Sequence, residues 1–382
     1  MSANSGNVTA TPVKSGKIAS GDSVTVRVID SFEQLQMISE EWNALLINSL
    51  SKTIFLTWEW LYAWAKCFLD GERTLFTLCI YQSGQLVGIA PFYLQKRRRK
   101  LLALREIRFL GTPEAGSDYL DMISQKGKEK VVAEALYNFL FGMGRAHWDE
   151  LRLTDVPAES LFLLFFMNCV EVHGKFSEVQ RCAVMPQTRL PSNVDAFFAM
   201  LSAKRRSRYR QDIRRLFDGG ESEHVTFGGA ELEEGLNRFF ELYNTKSGYD
   251  GTKLHIFLSR LGTINTAKQW LQIDLLCTRS TDIAGFLHLR NDSTQSLLLM
   301  VVDKSFNRKI SAGNVFVGMC LQKAIKDSVH IYDFLKGEED YKLHWATDIR
   351  PSLTIILNQR HLVAILSTIG RLTRYALKAI IR

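Results

Sequence analysis

Two stretches of this chain, 197 residues apart, read alike. LCIYQSGQLVGIAPF begins at Leu78 and LLCTRSTDIAGFLHL begins at Leu275, and each joins two apolar runs through a short polar turn, with Gly88 or Gly285 in the second run. Runs of this kind read as antiparallel hairpins, and their recurrence at a fixed spacing implies a duplicated unit. Length agrees, because 382 residues exceed what one core usually covers and two domains of about 150 to 200 residues are expected.

Periodicity fills in the rest of each unit. The first half reads as a helix from Ser31 to Leu46, a second from Thr57 to Phe68, strands over 75–81, 85–94, 107–111 and 118–123, a helix over 127–146, a strand at 150–156, a helix at 158–173 and a strand at 178–185. In the second half a long polar helix from Val194 to Phe217 stops at Gly219-Gly220. Helices at 231–246 and 254–270 follow, then strands at 273–279, 283–290 and 296–302, a helix at 314–326 and a strand at 330–336. The expected class is α/β: two lobes, 23–190 and 191–350, each a mixed twisted sheet flanked by helices. Residues 1–22 are Ser, Gly, Thr and Ala with no apolar periodicity and read as a disordered tail. Residues 351–382 read as a basic amphipathic helix, in which Leu362, Ile365, Leu366, Ile369, Leu372, Ala376 and Ile380 share a stripe opposite Arg371, Arg374, Lys378 and Arg382. Such a helix can lie on an anionic membrane surface or pack on the second lobe.

No apolar run reaches spanning length and no leader-like segment opens the chain, which points to a cytoplasmic protein, at most peripheral on the inner face of the plasma membrane. The six cysteines stand singly in apolar surroundings, with no paired spacing and no metal-ligand pattern, so core thiols and no metal are expected. The net charge of +8 is concentrated in Lys96 to Arg108, Lys204 to Arg215 and the stretch after Asp348, which suits anionic partners. No helix-turn-helix or zinc spacing accompanies it, which argues against DNA reading.

Two segments carry candidate chemistry. In DKSFNRKISAGN, 303–314, a strand feeds a loop with Arg308, Lys309, Ser311, Ala312 and Gly313 that opens at once into a helix at Asn314. Free N–H groups at a helix N-terminus bind phosphate, and small residues let it approach the backbone. In YDFLKGEEDYKLHW, 332–345, an apolar strand turns at Lys336-Gly337 into a run of ionisable residues. Group transfer to a nucleophile needs a base to take its proton, an acid for the leaving group and donors for developing negative charge. Asp333 and Glu338 are candidate bases, Tyr341 a candidate acid, and Lys342 a candidate holder of an anionic substrate. In the first half, Ser117, Asp118 and Tyr119 of GTPEAGSDYLD can face the acceptor; in the second, Arg205 and Arg208 of KRRSRYRQDIRR can clamp a phosphate.

The spacing Arg308-x-x-Ser311-x-Gly313 resembles a degenerate pyrophosphate loop of GNAT acyltransferases. Together with FLTWEWLYAWAKCF, LVGIAPFYL, IRFLGTPEAGSDYLDMI, GFLHL and the two segments above, it makes residues 25–348 resemble the GNAT-type acyltransferases of the CelD/BcsL group, associated with cellulose and other exopolysaccharides and related in fold to the FemABX aminoacyltransferases. The resemblance implies two tandem GNAT-like lobes, with acyl-CoA held between splayed strands at Val301 and Val302 and on the 308–314 loop. It implies acetyl-CoA as the donor and a sugar amine or hydroxyl, free or nucleotide- or lipid-linked, as the acceptor. Aminoacyl transfer from charged tRNA, or a non-catalytic role beside a polysaccharide synthase, are the alternatives it leaves open.

Overall fold

Both hairpins form, but the chain places them in two different sheets. The computed structural model describes residues 23–99, 102–218, 220–264, 267, 269–291, 293–306 and 310–359. The first half runs β1 (Val24–Ile29), α1 (Phe32–Met37), α2 (Ser39–Ile47), α3 (Trp58–Phe68), β2 (Arg73–Leu75), β3 (Thr77–Gln82), β4 (Gln85–Ala90), β5 (Phe92–Arg99), β6 (Leu102–Phe109), β7 (Ile123–Ser124), α4 (Glu129–Phe141), β8 (Glu150–Pro157), α5 (Leu161–Val172) and β9 (Ser177–Arg189). The second runs α6 (Val194–Met200), α7 (Ala203–Phe217), β10 (Ser222–Gly228), α8 (Leu232–Lys246), α9 (Thr252–Gly262), β11 (Leu271–Thr278), β12 (Thr281–Asn291), β13 (Thr294–Val302), α10 (Ala312–Lys326), β14 (Ile331–Asp333), α11 (Asp340–Trp345) and β15 (Asp348–Asn358).

A small sheet has the order β1-β3-β4-β7, and a large one the order β10-β11-β12-β13-β14-β9-β15-β8-β6-β5-β2. The two repeated hairpins, β3-β4 and β11-β12, share their local construction. Both turns carry two successive left-handed residues, Ser83 and Gly84 in one and Arg279 and Ser280 in the other, the twist that suits a two-residue hairpin. In both, the glycine of the second strand admits a helix: a Cβ on Gly88 would meet Val132 of α4 at 2.6 Å, and one on Gly285 would meet Phe239 of α8 at 2.9 Å. Each half also contains one parallel pairing, β6 with β8 and β13 with β14.

The halves are not separable along the large sheet. β15, the last described strand, lies between β8 and β9 of the first half. β9 in turn pairs with β14 of the second half, with Gln187 opposite Asp333. The expected helix from residue 351 is therefore corrected over 351–358, which lies in β15 with Ile355, Ile356 and Leu357 all buried; apolar β-branched residues fit a central strand better than a surface helix. The tail 1–22 and the stretch 360–382 lie outside the described residues.

Other departures have local causes. The long helix expected from Val194 to Phe217 is two, because Ser202 turns its hydroxyl onto the Arg205 N–H at 3.3 Å and starts α7 afresh while Leu201 is extended. The first helix divides at Ile38, whose ψ of 8° takes it out of helical geometry. No strand forms over most of 118–123, because Gly116 and Tyr119 adopt left-handed φ of 63° and 55°. β14 stops at Asp333, where the Leu335 N–H turns back to the Asp333 carboxylate at 2.8 Å.

The exchanged strand makes a testable demand. A protein ending at residue 190 should show no cooperative thermal melt by circular dichroism, because β8 and β9 lose the strand between them; a sharp melt would show the first half to be self-sufficient.

Candidate active site

Side chains two apart on a strand share a face, and the register of the large sheet brings one such row together from five neighbouring strands. Leu289 and Asn291 of β12, Thr294 and Ser296 of β13, Ile331 and Asp333 of β14, Gln187 of β9 and Arg350 of β15 line a cavity of about 160 Å³. Its remaining wall is first-half chain, Lys52 to Phe55 and Tyr119. The cavity thus takes residues from both halves.

Asp333 is 3% exposed and fully engaged on that face. Its Oδ2 accepts from the Tyr119 hydroxyl at 2.6 Å and from Gln187 Nε2 at 3.0 Å, and its Oδ1 from the Leu335 N–H. Gln187 Nε2 also donates to the Tyr119 oxygen at 2.9 Å, and the Arg350 guanidinium lies 5.3 Å from the Tyr119 ring centre. Burial pushes the Asp333 carboxyl up to about 6, against the hydrogen bonds from Tyr119, Leu335 and Gln187, which favour the charged form. Burial, then the neighbouring Asp333, pushes the Tyr119 phenol well above its ordinary range. The sequence leads one to expect a partner or a raised pKa for a carboxylate inside this strand; the structure has both.

Behind the cavity a second polar cluster pins the turn after β14. Asp118 accepts from the Lys336 N–H at 2.7 Å, Lys336 Nζ reaches Asp155 at 2.6 Å, and Lys342 Nζ donates to the Lys336 carbonyl at 2.5 Å. Burial and the nearby Asp155 push the Asp118 carboxyl up to about 7. Gly337 allows this closure, since its φ of 146° and the proximity of Lys342 Nζ, 2.6 Å from a Cβ there, admit no side chain. Ser117 is also structural, accepting from Trp60 Nε1 at 2.8 Å.

The remaining expected residues stand apart. Glu338 is on the surface, 3.5 Å from Arg181, with both side chains 66% exposed. Tyr341 packs beside the second core cluster with Trp345, and Arg205 bonds to His344 Nε2 at 3.0 Å while Arg208 pairs with Asp212 at 2.9 Å. None of these lines the cavity.

β13 and β14 pair over three residues only, Thr294 to Ser296 against Ile331 to Asp333. Just beyond, Leu298 has no partner in β12, where the register passes from Leu299 to Leu297. A bulge bends its strand, and the pairing with β14 ends at the Asp333 level just before it. At its far end Val302 meets the start of α10: a Cβ on Gly313 would lie 3.0 Å from Val302 Cγ2. Val301 is buried in the first core cluster, while Val302 packs on the second. Ser311 makes no side-chain cap, Ala312 is buried, and Asn314 is turned to accept from Trp345 Nε1 at 2.8 Å. Arg308 and Lys309 lie outside the described residues.

Sequence reasoning missed Gln187 and Arg350, since strand register alone brings them to Asp333. It also missed a buried network on the other face of the sheet. Asp274 accepts from His224 at 2.8 Å, Thr226 and Gln272 at 2.7 Å, and His288 at 2.9 Å, and His288 meets the Tyr332 hydroxyl at 2.7 Å. Burial opposes the charge on Asp274, but the two histidines hold its carboxyl far below the usual range. Cys320 comes within 4.8 Å of the His224 and Asp274 ligand atoms, yet both carboxylate oxygens are already satisfied by protein donors.

Comparison with known proteins agrees with this fold. Residues 203–343 match the acetyltransferase (GNAT) domain family. FemX, at 13% identity, superposes with a TM-score of 0.58 over 84% of this chain and 96% of its own. A conserved protein of unknown function from Bacteroides thetaiotaomicron, at 12% identity, gives 0.51 over 87% of this chain and 100% of its own. The C-terminal domain of a protein described as a lysylphosphatidylglycerol synthetase, from Agrobacterium fabrum, gives 0.50 at 8% identity over 88% and 95%. No curated protein matches the sequence. The chain is a mixed α/β protein with the GNAT acetyltransferase fold.

Proposed function

We propose that this protein transfers an acyl group, acetyl in the simplest case, from acyl-CoA to an amine or hydroxyl of a sugar acceptor, in the synthesis of cellulose, another exopolysaccharide or a cell-envelope polysaccharide. One observation carries the reading: Asp333 occupies the last paired position of a parallel strand pair that then opens, and it faces a cavity built by both halves.

The opening suits a thioester arm. Past Ser296 the edge of β13 that faces β14 has no strand paired with it, and the bulge at Leu298 interrupts the ladder nearby. At the far end, the close seat of Gly313 on Val302 and the uncapped first turn of α10 suit a pyrophosphate. In the cavity, Asp333 takes the proton of the acceptor amine or hydroxyl as its nitrogen or oxygen bonds to the acyl carbon. The carbon–sulfur bond breaks, and the Tyr119 hydroxyl, bonded to Asp333, hands a proton to the departing sulfur and recovers one from Asp333. Tyr119 replaces Tyr341 in this role because it lines the cavity. Asn291, Thr294, Ser296 and Gln187 offer neutral polar contacts suited to a polyhydroxylated ring, with Lys52 and Arg350 set for an anionic substituent such as a nucleotide or lipid phosphate.

A second reading, aminoacyl transfer from charged tRNA as in FemX-like proteins, draws on α7, which exposes Lys204, Arg208, Arg210, Arg214 and Arg215. The two readings separate on the donor. Acetyl-CoA at a hundredfold excess over its Kd should stabilise the protein by about 2.7 kcal/mol in a thermal melt, and Gly313→Leu should remove most of that shift by forcing α10 off Val302. No shift with any acyl-CoA, together with binding of charged tRNA, would favour the second.

Asp333 sets the pH dependence. Its folded pKa is raised to about 6, so it is protonated and unable to act as base below that pH; kcat/KM should rise with pH up to about 6 and then level. Asp333→Asn should lower the rate by roughly 10² to 10⁴-fold with the melt preserved, and an unchanged rate would remove Asp333 from the mechanism.

A further inference from the structure

The mouth of the cavity is charged, and a carboxylate of the chain itself already answers part of that charge. Arg350 lines the cavity and lies over Tyr119, its guanidinium 5.3 Å from the ring centre. Its Nη2 also donates to Glu159, in the turn between β8 and α5. Both partners are open to solvent, with side chains 41% and 49% exposed. Glu159 does not line the cavity; it holds Arg350 from outside.

Lys52 stands on the same rim for a structural reason. The Ser51 hydroxyl donates to Asp121 Oδ2 at 2.8 Å, and the Ser160 hydroxyl bonds the same buried carboxylate. Ser51 precedes Lys52 and Ser160 follows Glu159, so Asp121 draws the two loops together. Apart from Asp333, the rest of the lining is neutral. Two cations at one mouth suit a phosphate, which carries close to two charges and three acceptor oxygens, better than a carboxylate.

We propose, resting on the acyl-transfer reading above, that the acceptor is a sugar phosphate ester whose phosphate binds Arg350, and that Glu159 stands in for that phosphate until it arrives. The exchange is favourable. An exposed ion pair is worth at most about fivefold in an equilibrium constant, whereas paired charge-assisted hydrogen bonds from a guanidinium to phosphate are worth about tenfold or more. Glu159 therefore yields the guanidinium to a phosphate, and a neutral saccharide leaves the pair intact. Tyr119 sets the distance, because its hydroxyl bonds to Asp333 at 2.6 Å while its ring carries Arg350. Phosphate and nucleophile then fall on either side of Tyr119, a separation that a single sugar ring spans.

The test is isothermal titration of the full chain, Glu159→Gln, Arg350→Gln and the double variant with glucosamine 1-phosphate and with glucosamine. Measured against glucosamine, the ester should bind severalfold more tightly to Glu159→Gln and about tenfold or more weakly to Arg350→Gln. The double variant should match Arg350→Gln, because Glu159 acts only through Arg350. Competition by uridine diphosphate and by geranyl diphosphate then separates a nucleotide from a lipid source of the phosphate. Weaker ester binding in Glu159→Gln would overturn the stand-in role, since the glutamate would then be holding Arg350 in place. Equal ester-to-glucosamine ratios in all four proteins, no binding of the ester, or glucuronate binding as tightly as the ester would overturn the phosphate site. The acyl-transfer reading fails separately, on the acetyl-CoA melt and on Asp333→Asn.

Discussion

The structure depends on the register of β9. This strand pairs on one side with β14 and on the other with β15, so a first-half strand is enclosed by two from the second half. Backbone hydrogen bonds allow only discrete registers, and a slip of one residue would turn every side chain to the opposite face. That pairing places Gln187 opposite both Asp333 and Asp348, and it forces the row of residues from β12 to β15 onto one face beneath Tyr119. The site exists because the two halves share a sheet.

Electrostatics then give that site its character. Asp333 and Asp118 are both buried carboxylates with raised pKa values, but their neighbours differ. Asp333 meets a phenol, an amide and a backbone N–H and lines the cavity, where the proposed proton transfer would take place. Asp118 meets the Lys336 backbone and lies near the Lys336–Asp155 ion pair, so it holds the turn through which Asp333 is positioned. The same residue type supports two tasks because one opens onto a cavity and the other does not. On the reverse face, the His224–Asp274–His288–Tyr332 chain ties β10, β11, β12 and β14 together from below.

Much of this was legible in the chain itself. The hairpins around Gly88 and Gly285, the strand-helix-strand run from 294 to 333 and the amphipathic helices are set by local periodicity and by turn residues, and the GNAT fold follows from their order. That Asp333, a carboxylate inside a strand, would need a partner was also legible. What local pattern misjudged were places where a side chain competes with the backbone, as Ser202 does in dividing a helix, or where apolar residues suit strand and helix alike, as in 351–358. Glu338 reads like a catalytic group because it lies near Asp333 in sequence, yet Gly337 turns it to the surface beside Arg181.

The sequence by itself determined most element types and that a carboxylate at Asp333 needs a partner, because propensity and burial cost act within a few residues. Only the tertiary structure decided that β15 enters the first half's sheet, that Tyr119 and Gln187 meet Asp333 across 214 and 146 residues, and that the cavity lies between the halves. Those contacts are fixed by strand register between distant segments, and register is a property of the assembled sheet that no local pattern encodes.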